Sequence, residues 1–272
     1  MNKYNARRTV FAKKSFGQNF LVDQNYIRKI IAALDPQADE TIVEIGAGRG
    51  ALTEVLIETG ANIIAIELER GMLAVLRERF AGQENFKLIE ADALTIGFSE
   101  LLKTDESISK FKLVANLPFN ISTAILQKLI EQRDCFSEMI LMFQREVVAR
   151  ITARAGNAER GFLTILTEAY LNTEKLFDVP PKAFQPAPKV WSAVVRLNPK
   201  FDAQLENEKL FRQIVSAGFR QKRKTILNNL KSEFENIEKV LAECGIERQR
   251  RAETLTLEEW ICLAKQKAGD EI

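Results

Sequence analysis

The sequence predicts an α/β fold: a mostly parallel sheet covered by helices, followed by a small domain made only of helices. Two observations favour this class. Short apolar runs at 41–45, 63–66 and 111–115 alternate with stretches of helical periodicity, as in a parallel sheet. Beyond Pro199, apolar residues recur only at helical spacing. We therefore expect a first domain over residues 1–200 and a helical second domain over residues 201–272.

Composition excludes several classes of protein. The chain of 272 residues is 46% hydrophobic and 28% charged, which is ordinary for a globular protein. No apolar run approaches the ~18 residues of a membrane span, and the basic amino terminus lacks the apolar core of a secretory signal. Because the chain has no histidine, Ser-His or Cys-His catalysis and metal binding by histidine are excluded.

The cysteines indicate a compartment. Cys135, Cys244 and Cys262 stand far apart in the sequence and match no zinc-binding spacing. Such usage suits a reducing environment. We expect a cytoplasmic, monomeric protein without a metal ion.

The secondary structure can be predicted along the chain. A helix should run from an N-cap at Asp23 to about Leu34. Ser122 should cap a helix that ends near Ile130. The other expected elements are strands at 86–90 and 139–143, a polar connection at 97–110, helices at 144–154 and 161–170, and a closing antiparallel pair at 171–179 and 190–197.

A glycine loop follows the first strand of the expected sheet. The segment Thr41-Ile-Val-Glu-Ile-Gly-Ala-Gly-Arg-Gly50 leads into a helix, and the next strand is closed by Glu67. This order is typical of a nucleotide-binding β-α-β unit, in which Gly46 allows close approach of a ligand and Glu67 accepts from ribose hydroxyls. The loop also satisfies the dinucleotide pattern G-x-G-x-x-A. A nicotinamide dehydrogenase and a turn that binds nothing therefore remain as alternatives.

Asp92 follows the expected strand at 86–90. It can accept a hydrogen bond from an adenine amino group, or it can close a turn. The sequence alone leaves both interpretations open.

The stretch Leu113-Val-Ala-Asn-Leu-Pro-Phe119 places polar groups and a ring at the end of a buried strand, where ligands bind in open α/β sheets. The side-chain oxygen of Asn116 and the carbonyl of Leu117 can accept hydrogens from the exocyclic amine of a nucleobase. Pro118 fixes the backbone between them, and Phe119 offers a face on which the base can stack. The alternative is a strand, a turn and a core phenylalanine.

Between residues 179 and 189 the chain contains four prolines, which predict a stiff and extended loop. Phe184 and Lys189 would supply stacking and charge to a groove for flipped or single-stranded bases. A rigid connector is the other interpretation.

The net charge of +2 is unevenly distributed. Residues 1–22 hold five basic residues and no acid, whereas residues 32–144 hold 10 basic and 18 acidic residues, a balance of −8. Residues 209–231 are again basic and free of acids. This second cluster contains the candidate RNA-binding residues Arg220, Lys222, Arg223 and Lys224. Basic ends around an acidic middle favour a polyanionic partner over solvated surface charge.

Together these segments resemble the KsgA family of small-subunit rRNA adenine dimethyltransferases, over nearly the whole chain. The matching blocks are Gln18-Asn-Phe-Leu21, Glu44-Ile-Gly-Ala-Gly48, Glu67, Asp92, Asn116-Leu-Pro-Phe119, Phe184-Gln-Pro-Ala-Pro-Lys-Val-Trp-Ser192, and Arg223-Lys-Thr225 with Asn228-Asn-Leu230. The resemblance implies a Rossmann-like methyltransferase sheet and S-adenosylmethionine as cofactor. It further implies dimethylation of N6 on two adjacent adenines near the 3′ end of 16S rRNA, and a role in small-subunit biogenesis.

The resemblance also implies residue roles. Asn19 and Leu21 would line the methionine end of the cofactor, Gly46 would lie beneath it, Glu67 would hold the ribose, and Asp92 would meet the adenine. Asn116 and Phe119 would face the target base. This chain departs from the family pattern in two places. Phe119 stands where tyrosine is frequent, and Trp191 stands where a small or acidic residue is expected, a change without an evident physical reason in the sequence.

Two relatives of the same fold offer other functions. An Erm-type methyltransferase acts on large-subunit rRNA, but the proline-rich loop and the Arg223-Lys-Thr225 segment favour the small-subunit family. A non-catalytic ribosome-assembly or transcription factor is the second alternative. The presence of Glu67, Asp92 and Asn116 argues against lost catalysis.

Overall fold

The computed structural model of the protein describes residues 19–103, 108–201, 205 and 207–270. Most of the basic amino-terminal segment, including Gln18, lies outside the described residues, so the predictions made for it stay predictions. In the described part of the chain, no helix has the length and apolar character needed to cross a membrane.

Strands and helices alternate through the first two-thirds of the described chain. The strands are β1 Phe20–Leu21, β2 Thr41–Ile45, β3 Asn62–Glu67, β4 Phe86–Glu90, β5 Phe111–Asn116, β6 Phe136–Gln144, β7 Leu171–Val179, β8 Phe184–Gln185 and β9 Ser192–Pro199. The helices are α1 Gln24–Leu34, α2 Ala51–Glu58, α3 Arg70–Arg79, α4 Phe98–Leu102, α5 Ser122–Glu131, α6 Arg145–Ile151, α7 Phe162–Tyr170, α8 Glu208–Gly218, α9 Ile226–Leu230, α10 Ile237–Glu243 and α11 Leu257–Asp270.

Seven strands form one sheet in the order β4-β3-β2-β5-β6-β9-β7. Strands β4, β3, β2, β5 and β6 are parallel to one another, and β9 is antiparallel to β6. The chain runs outward from β2 to β4 and then returns to the other side of β2 with β5. The order therefore reverses between β2 and β5, which is the point where open α/β sheets bind ligands. The sheet confirms the predicted Rossmann-like fold.

Burial explains why these segments form a parallel sheet. All five residues of β2 are buried, as expected for a strand that is covered on both faces. Helix α1 begins where predicted, because Asp23 accepts from the backbone N–H of Asn25 at 2.9 Å and caps the helix. Its residues Ile27 and Leu34 are fully buried in the core.

Two local predictions were wrong. Ser122 is the first residue of α5 rather than its cap, and its hydroxyl donates to the Phe119 carbonyl at 3.1 Å, which ties the helix to the preceding turn. Residues 98–102, expected within a polar connection, form α4. The buried ring of Phe98 supplies the apolar contact that makes this short helix part of the core, packing edge-on against Phe136 with ring centroids 5.0 Å apart.

The chain divides into two compact units. The first comprises the described residues up to Arg145 together with 176–197, and the second comprises 146–175 together with the residues from Asn198 onward. The sequence instead predicts a single break near residue 200. In the structure α7 packs against α8 and α11, so residues 146–175 group with the carboxyl-terminal helices.

The second unit is held by α8 and α11. Trp260 of α11 is fully buried and stacks on Phe219, with ring centroids 5.5 Å apart. Cys244 and Cys262 form a disulfide, so the expectation that the cysteines suit a reducing environment was wrong for this pair. They stand 18 residues apart in sequence, and the packing of α10 on α11 brings them together. Cys135 is a free and buried thiol.

Candidate active site

A cavity of about 290 Å³ opens in the first unit where the strand order reverses. Volumes of this size are at the lower end of the range for small-molecule sites. The lining comes from the β1 segment, the glycine loop, the ends of β3 and α3, and the turn after β5. It includes the predicted residues Asn19, Leu21, Gly46, Glu67, Asn116, Leu117, Pro118 and Phe119.

The glycine loop is fixed from two sides. The backbone N–H of Gly48 donates to Glu67 Oε2 at 2.9 Å. On the other side the Phe20 ring lies so close that a Cβ on Gly48 would be 3.2 Å from it. Gly46 differs, because its φ is +72° and a Cβ added there would meet no atom within 4 Å. The loop therefore presents bare backbone to open space at Gly46.

Glu67 is a buried carboxylate that organises the backbone around it. Its Oε1 accepts from the N–H groups of Leu68 and Glu69, each at 2.9 Å, and its Oε2 accepts from Gly48. A carboxylate offers about four acceptor positions. In this arrangement Glu67 has room for about one further donor, so the expected pair of ribose hydrogen bonds would have to share oxygens with these amides.

Glu44 is a second acid in the cavity, and we did not assign it a role from the sequence. It is 2% exposed, and the hydroxyl of Thr53 donates to its Oε2 at 2.6 Å. Burial, aided by the nearby charge of Glu67, raises the pKa of Glu44 to about 7 despite the Thr53 hydrogen bond, which lowers it. The sequence signal for Glu44 was an acidic residue flanked by Val43 and Ile45 in a strand predicted to be buried.

Asn116 is the last residue of β5, and its amide is held in one orientation. Its Nδ2 donates to the backbone carbonyl of Asn19 at 3.3 Å, which leaves Oδ1 as the acceptor of the side chain. The following turn is closed by the Ile121 N–H, which donates to the Pro118 carbonyl at 3.2 Å. The Leu117 side chain is buried, whereas Phe119 is only half-buried at the cavity.

The segment around Asn19 is anchored by the proline-rich loop. Strands β1 and β8 are antiparallel, with Leu21 opposite Phe184, and the Val22 N–H donates to the Ala183 carbonyl at 2.9 Å. Phe184 is 4% exposed and belongs to the core, so the prediction that its ring stacks on a base was wrong. Lys189 in the same loop is exposed, as a contact to RNA requires.

Arginines that the sequence analysis left unassigned lie at the cavity rim. Arg79 pairs with Glu54 at 2.6 Å and donates from Nη1 to the Arg49 carbonyl at 2.7 Å. The guanidinium of Arg49 lies 4.5 Å from the centroid of the Phe20 ring. The three pairs connect the glycine loop to α2, α3 and β1.

Comparisons with known proteins identify the family. The model of the ribosomal RNA adenine dimethylase family matches residues 10–268. The chain belongs to this family. The small-subunit rRNA methyltransferase A of Hahella chejuensis is 39% identical over 266 residues, covering 97% of this chain and 96% of the relative. The protein of the same name from Moorella thermoacetica is 41% identical over 263 residues, with 93% and 91% covered.

Solved structures agree with this assignment. A dimethyladenosine transferase from Plasmodium falciparum is similar with a TM-score of 0.77 and 26% identity, over 93% of this chain and 98% of the other. The 23S rRNA methyltransferase ErmE matches with a TM-score of 0.69 at 23% identity, over 92% and 100%, which shows a common fold alone. The Erm-type alternative is not favoured, since the curated relatives at 37–41% identity carry the small-subunit name.

As a member of the dimethylase family, the chain is an S-adenosylmethionine-dependent rRNA methyltransferase, and the residues of the cavity fit that cofactor. The open space at Gly46 admits a ligand against the backbone. The carboxylate of Glu67 lines the same cavity and complements the positive charge of a sulfonium. Within the described residues, no cluster of acids and thiols is arranged to hold a metal ion.

Asp92 is the one predicted cofactor residue of the dimethylase that does not line the cavity. Its Oδ1 accepts from the Leu94 N–H at 2.8 Å, and its carbonyl accepts from the N–H of Thr95 at 2.9 Å. These bonds close a turn after β4, at the same edge of the sheet as Glu67. A contact between Asp92 and the adenine of the cofactor stays a prediction.

The basic cluster of the dimethylase forms the turn between α8 and α9. Arg220, Lys222, Arg223 and Lys224 are all exposed. Arg220 pairs with Glu233 at 3.2 Å. The buried Asn229 shapes the turn, because its Nδ2 donates to the carbonyls of Gly218 at 2.7 Å and Gln221 at 3.1 Å. Lys222, Arg223 and Lys224 are thus exposed to solvent on a turn that is stabilised by hydrogen bonds from the buried Asn229.

Proposed function

We propose that the chain transfers two methyl groups to N6 of each of two adjacent adenines in the hairpin near the 3′ end of 16S rRNA. The observation that carries the proposal is the fixed amide of Asn116, whose Oδ1 is left to accept, beside the half-buried ring of Phe119 at the same cavity. An exocyclic amine presents two hydrogens and needs acceptors, and a nucleobase needs a face on which to stack. The curated relatives, named small-subunit methyltransferases, support the choice of subunit.

In this proposal the side chain of Asn116 and the carbonyl of Leu117 accept the two hydrogens of the amine. Holding both hydrogens draws the nitrogen from a planar towards a tetrahedral arrangement, which frees its lone pair. S-adenosylmethionine, when bound, supplies a methyl group on a sulfonium that is already strongly electrophilic. The contribution of the chain is then mainly to position the amine in line with that methyl group. The proton that the amine loses can pass to water.

The target adenine has to leave its stack to reach the cavity. Phe119 would stack on the displaced base and offset part of that cost, since an aromatic contact is worth about 1–3 kcal/mol per base. Asn19, Leu21, Gly46, Glu67 and Asn116 would hold the cofactor, and Asp92 would join them from the turn after β4. Arg220, Lys222, Arg223, Lys224 and Lys189 would contact the RNA backbone.

The proposed substrate also implies the binding partner and the cellular compartment of the protein. The partner is the small ribosomal subunit, on which the protein would act as a monomer in the cytoplasm during subunit biogenesis. The support for this context is the chemistry of the substrate and the names of the relatives.

Methyl transfer from labelled S-adenosylmethionine tests the proposal directly. Undermethylated small subunits and large subunits are incubated with the protein in parallel, and the modified bases are mapped. We expect label on two adjacent adenines of 16S rRNA and none on large subunits. Label on an adenine of 23S rRNA would replace the proposal with an Erm-type activity, and absence of label on both would leave a binding role.

A further inference from the structure

We infer that the exposed ring of Trp191, together with the guanidinium of Arg145, is a stacking platform for an unpaired base that flanks the target adenine in the RNA strand. This inference rests on the proposed function, because it assumes an RNA substrate at the Asn116 site. It gives a role to Trp191, one of the two residues at which the sequence departs from the family pattern, and to a surface outside the cavity.

The register of the sheet places the platform beside the proposed site. Asn116 of β5 lies opposite Met142 of β6, and two positions further along β6, Gln144 lies opposite Ser192 of β9. Trp191 precedes Ser192 and continues this ladder, since its carbonyl accepts from the Arg145 N–H at 2.9 Å. Asn116 and Trp191 are two strands apart across the sheet, at ~4.8 Å per strand, and three residues apart along it, at ~3.3 Å per residue. Their α-carbons are therefore separated by roughly 14 Å.

Trp191 is exposed in a way that the core does not explain. It is 45% exposed and its neighbour Val190 is 43% exposed, whereas the other tryptophan, Trp260, is fully buried. In the preceding proline-rich loop, Phe184 is buried in the core. Of the two aromatic side chains between residues 179 and 191, Trp191 is therefore the one that can meet a base. Tryptophan has the largest face for stacking, and stacking tolerates any base.

The charge around the ring favours RNA over a protein partner. The Arg145 guanidinium lies 5.9 Å from the centroid of the Trp191 ring, within the range of a cation–π contact. Lys189 is exposed two residues before it. From Val179 to Phe201 the sequence contains no acid. An aromatic face flanked by cations is the arrangement that binds single-stranded nucleic acid.

Steady-state methylation of undermethylated small subunits is the first test. We expect Trp191→Ala to raise KM for the subunit by roughly 5- to 150-fold, the effect of losing one stacked base. The kcat should stay unchanged, because the platform binds ground state and transition state alike. Trp191→Phe should restore most of the affinity. Phe201→Ala is the matched control, since Phe201 is an exposed aromatic residue at 59% in the second unit.

Salt dependence separates the ring from the charge. Trp191→Ala should weaken RNA binding equally at every salt concentration, because stacking releases no counterions. Arg145→Gln should flatten the slope of log affinity against log salt by up to about 0.7, the value for one phosphate that is no longer neutralised. A flattened slope in Trp191→Ala would contradict a stacking role.

Tryptophan fluorescence provides a readout that does not depend on activity. A short adenine-containing single-stranded RNA should quench the wild-type protein, and the quenching should be absent in Trp191→Phe, in which only the buried Trp260 emits. If that RNA binds without quenching while Trp191→Ala still raises KM, a ribosomal protein contacts the ring and the inference is wrong. If the wild type methylates small subunits and Trp191→Ala has the same KM, the inference fails but the proposed function stands. If the wild type methylates neither adenine, the proposed function itself fails.

Discussion

Asn116 at the end of β5 donates from Nδ2 to the Asn19 carbonyl at 3.3 Å, and this bond joins two segments that are 97 residues apart. It connects the turn proposed to hold the target base with the strand β1 proposed to line the cofactor. Because the amide nitrogen is used in this contact, Oδ1 is the atom that remains for the substrate. The bond therefore decides which end of the amide the substrate meets.

Replacing Asn116 tests this arrangement. We expect Asn116→Ala to slow methyl transfer by an amount equivalent to roughly 1–3 kcal/mol, since one hydrogen of the bound amine loses its acceptor. Affinity for S-adenosylmethionine should fall far less. Single-turnover methylation and calorimetric titration measure the two quantities. Asn120→Ala, at an exposed position within the same turn, is the control. Equal losses in rate and cofactor affinity would make Asn116 a cofactor ligand only.

The ring of Phe119 should contribute stacking and little else. Phe119→Ala is expected to lose about 1–3 kcal/mol of transition-state stabilisation, whereas Phe119→Tyr keeps the ring and should be nearly neutral. Measuring kcat/KM on undermethylated small subunits decides the matter. A normal rate in Phe119→Ala would mean that the ring is core packing.

Glu67 has a structural and a proposed binding task. Glu67→Ala removes the acceptor of the Gly48, Leu68 and Glu69 amides and should weaken cofactor binding by roughly 1.5–3 kcal/mol, because charged hydrogen bonds are removed. Calorimetric titration with S-adenosylmethionine gives the affinity, and thermal unfolding without cofactor reports the cost to the fold. An unchanged affinity would remove Glu67 from the binding site, whatever happens to the melting temperature.

The raised pKa of Glu44 makes stability depend on pH. The folded protein keeps the Glu44 proton up to about pH 7, whereas the unfolded chain releases it near the ordinary value of 4.5. The contribution of this group to the free energy of unfolding is therefore complete below the unfolded pKa and is lost as pH rises through the folded pKa. Its size is on the order of 3 kcal/mol, since the pKa of Glu44 rises from 4.5 in the unfolded chain to about 7 in the folded protein.

Denaturant unfolding of wild type and Glu44→Gln at several pH values tests this dependence. The difference in the free energy of unfolding between the two proteins should change between pH 4.5 and about 7. As pH rises, the variant should become more stable relative to the wild type. Glutamine keeps the shape and an oxygen for the Thr53 hydroxyl, so it isolates the titration. Parallel curves would mean that Glu44 ionises at its ordinary value.

The turn between α8 and α9 should hold RNA by charge. Replacing Lys222, Arg223 and Lys224 with glutamine is expected to weaken binding to small subunits and to flatten the slope of log affinity against log salt. The slope should change by up to about 0.7 to 0.9 for each phosphate that is no longer neutralised. Cofactor affinity should not change. Filter binding across a salt series measures the slope. A wild-type slope in the triple variant would assign RNA binding to other cations.

Local patterns were sufficient for most of the fold. The alternation of apolar runs and helical stretches predicted the sheet, and the glycine loop, Glu67 and Asn116 were predicted at strand ends because parallel strands end at one edge. The cap of α1 was also readable, because an N-cap depends on only a few neighbouring residues. These features need no knowledge of distant parts of the chain.

Features that depend on long-range contacts were missed. Phe184 is buried because β8 pairs with β1, more than 160 residues earlier in the sequence, and nothing within the proline-rich loop indicates that pairing. The Cys244–Cys262 disulfide depends on the packing of two helices. The raised pKa of Glu44 depends on its burial in the folded protein. In each case the local sequence allowed two outcomes, and tertiary structure selected one.

The orientation of the Asn116 amide also makes binding depend on how many hydrogens remain on the target amine. An unmodified adenine amine carries two hydrogens, a monomethylated amine carries one, and a dimethylated amine carries none. With its nitrogen bonded to Asn19, the amide of Asn116 offers its oxygen to the amine. That oxygen would accept from the unmodified amine, would accept from the monomethylated amine with one hydrogen fewer at the site, and would find no hydrogen on the dimethylated amine. In the proposed complex the finished base would leave two oxygens without donors, so completion of the reaction would itself favour release of the product.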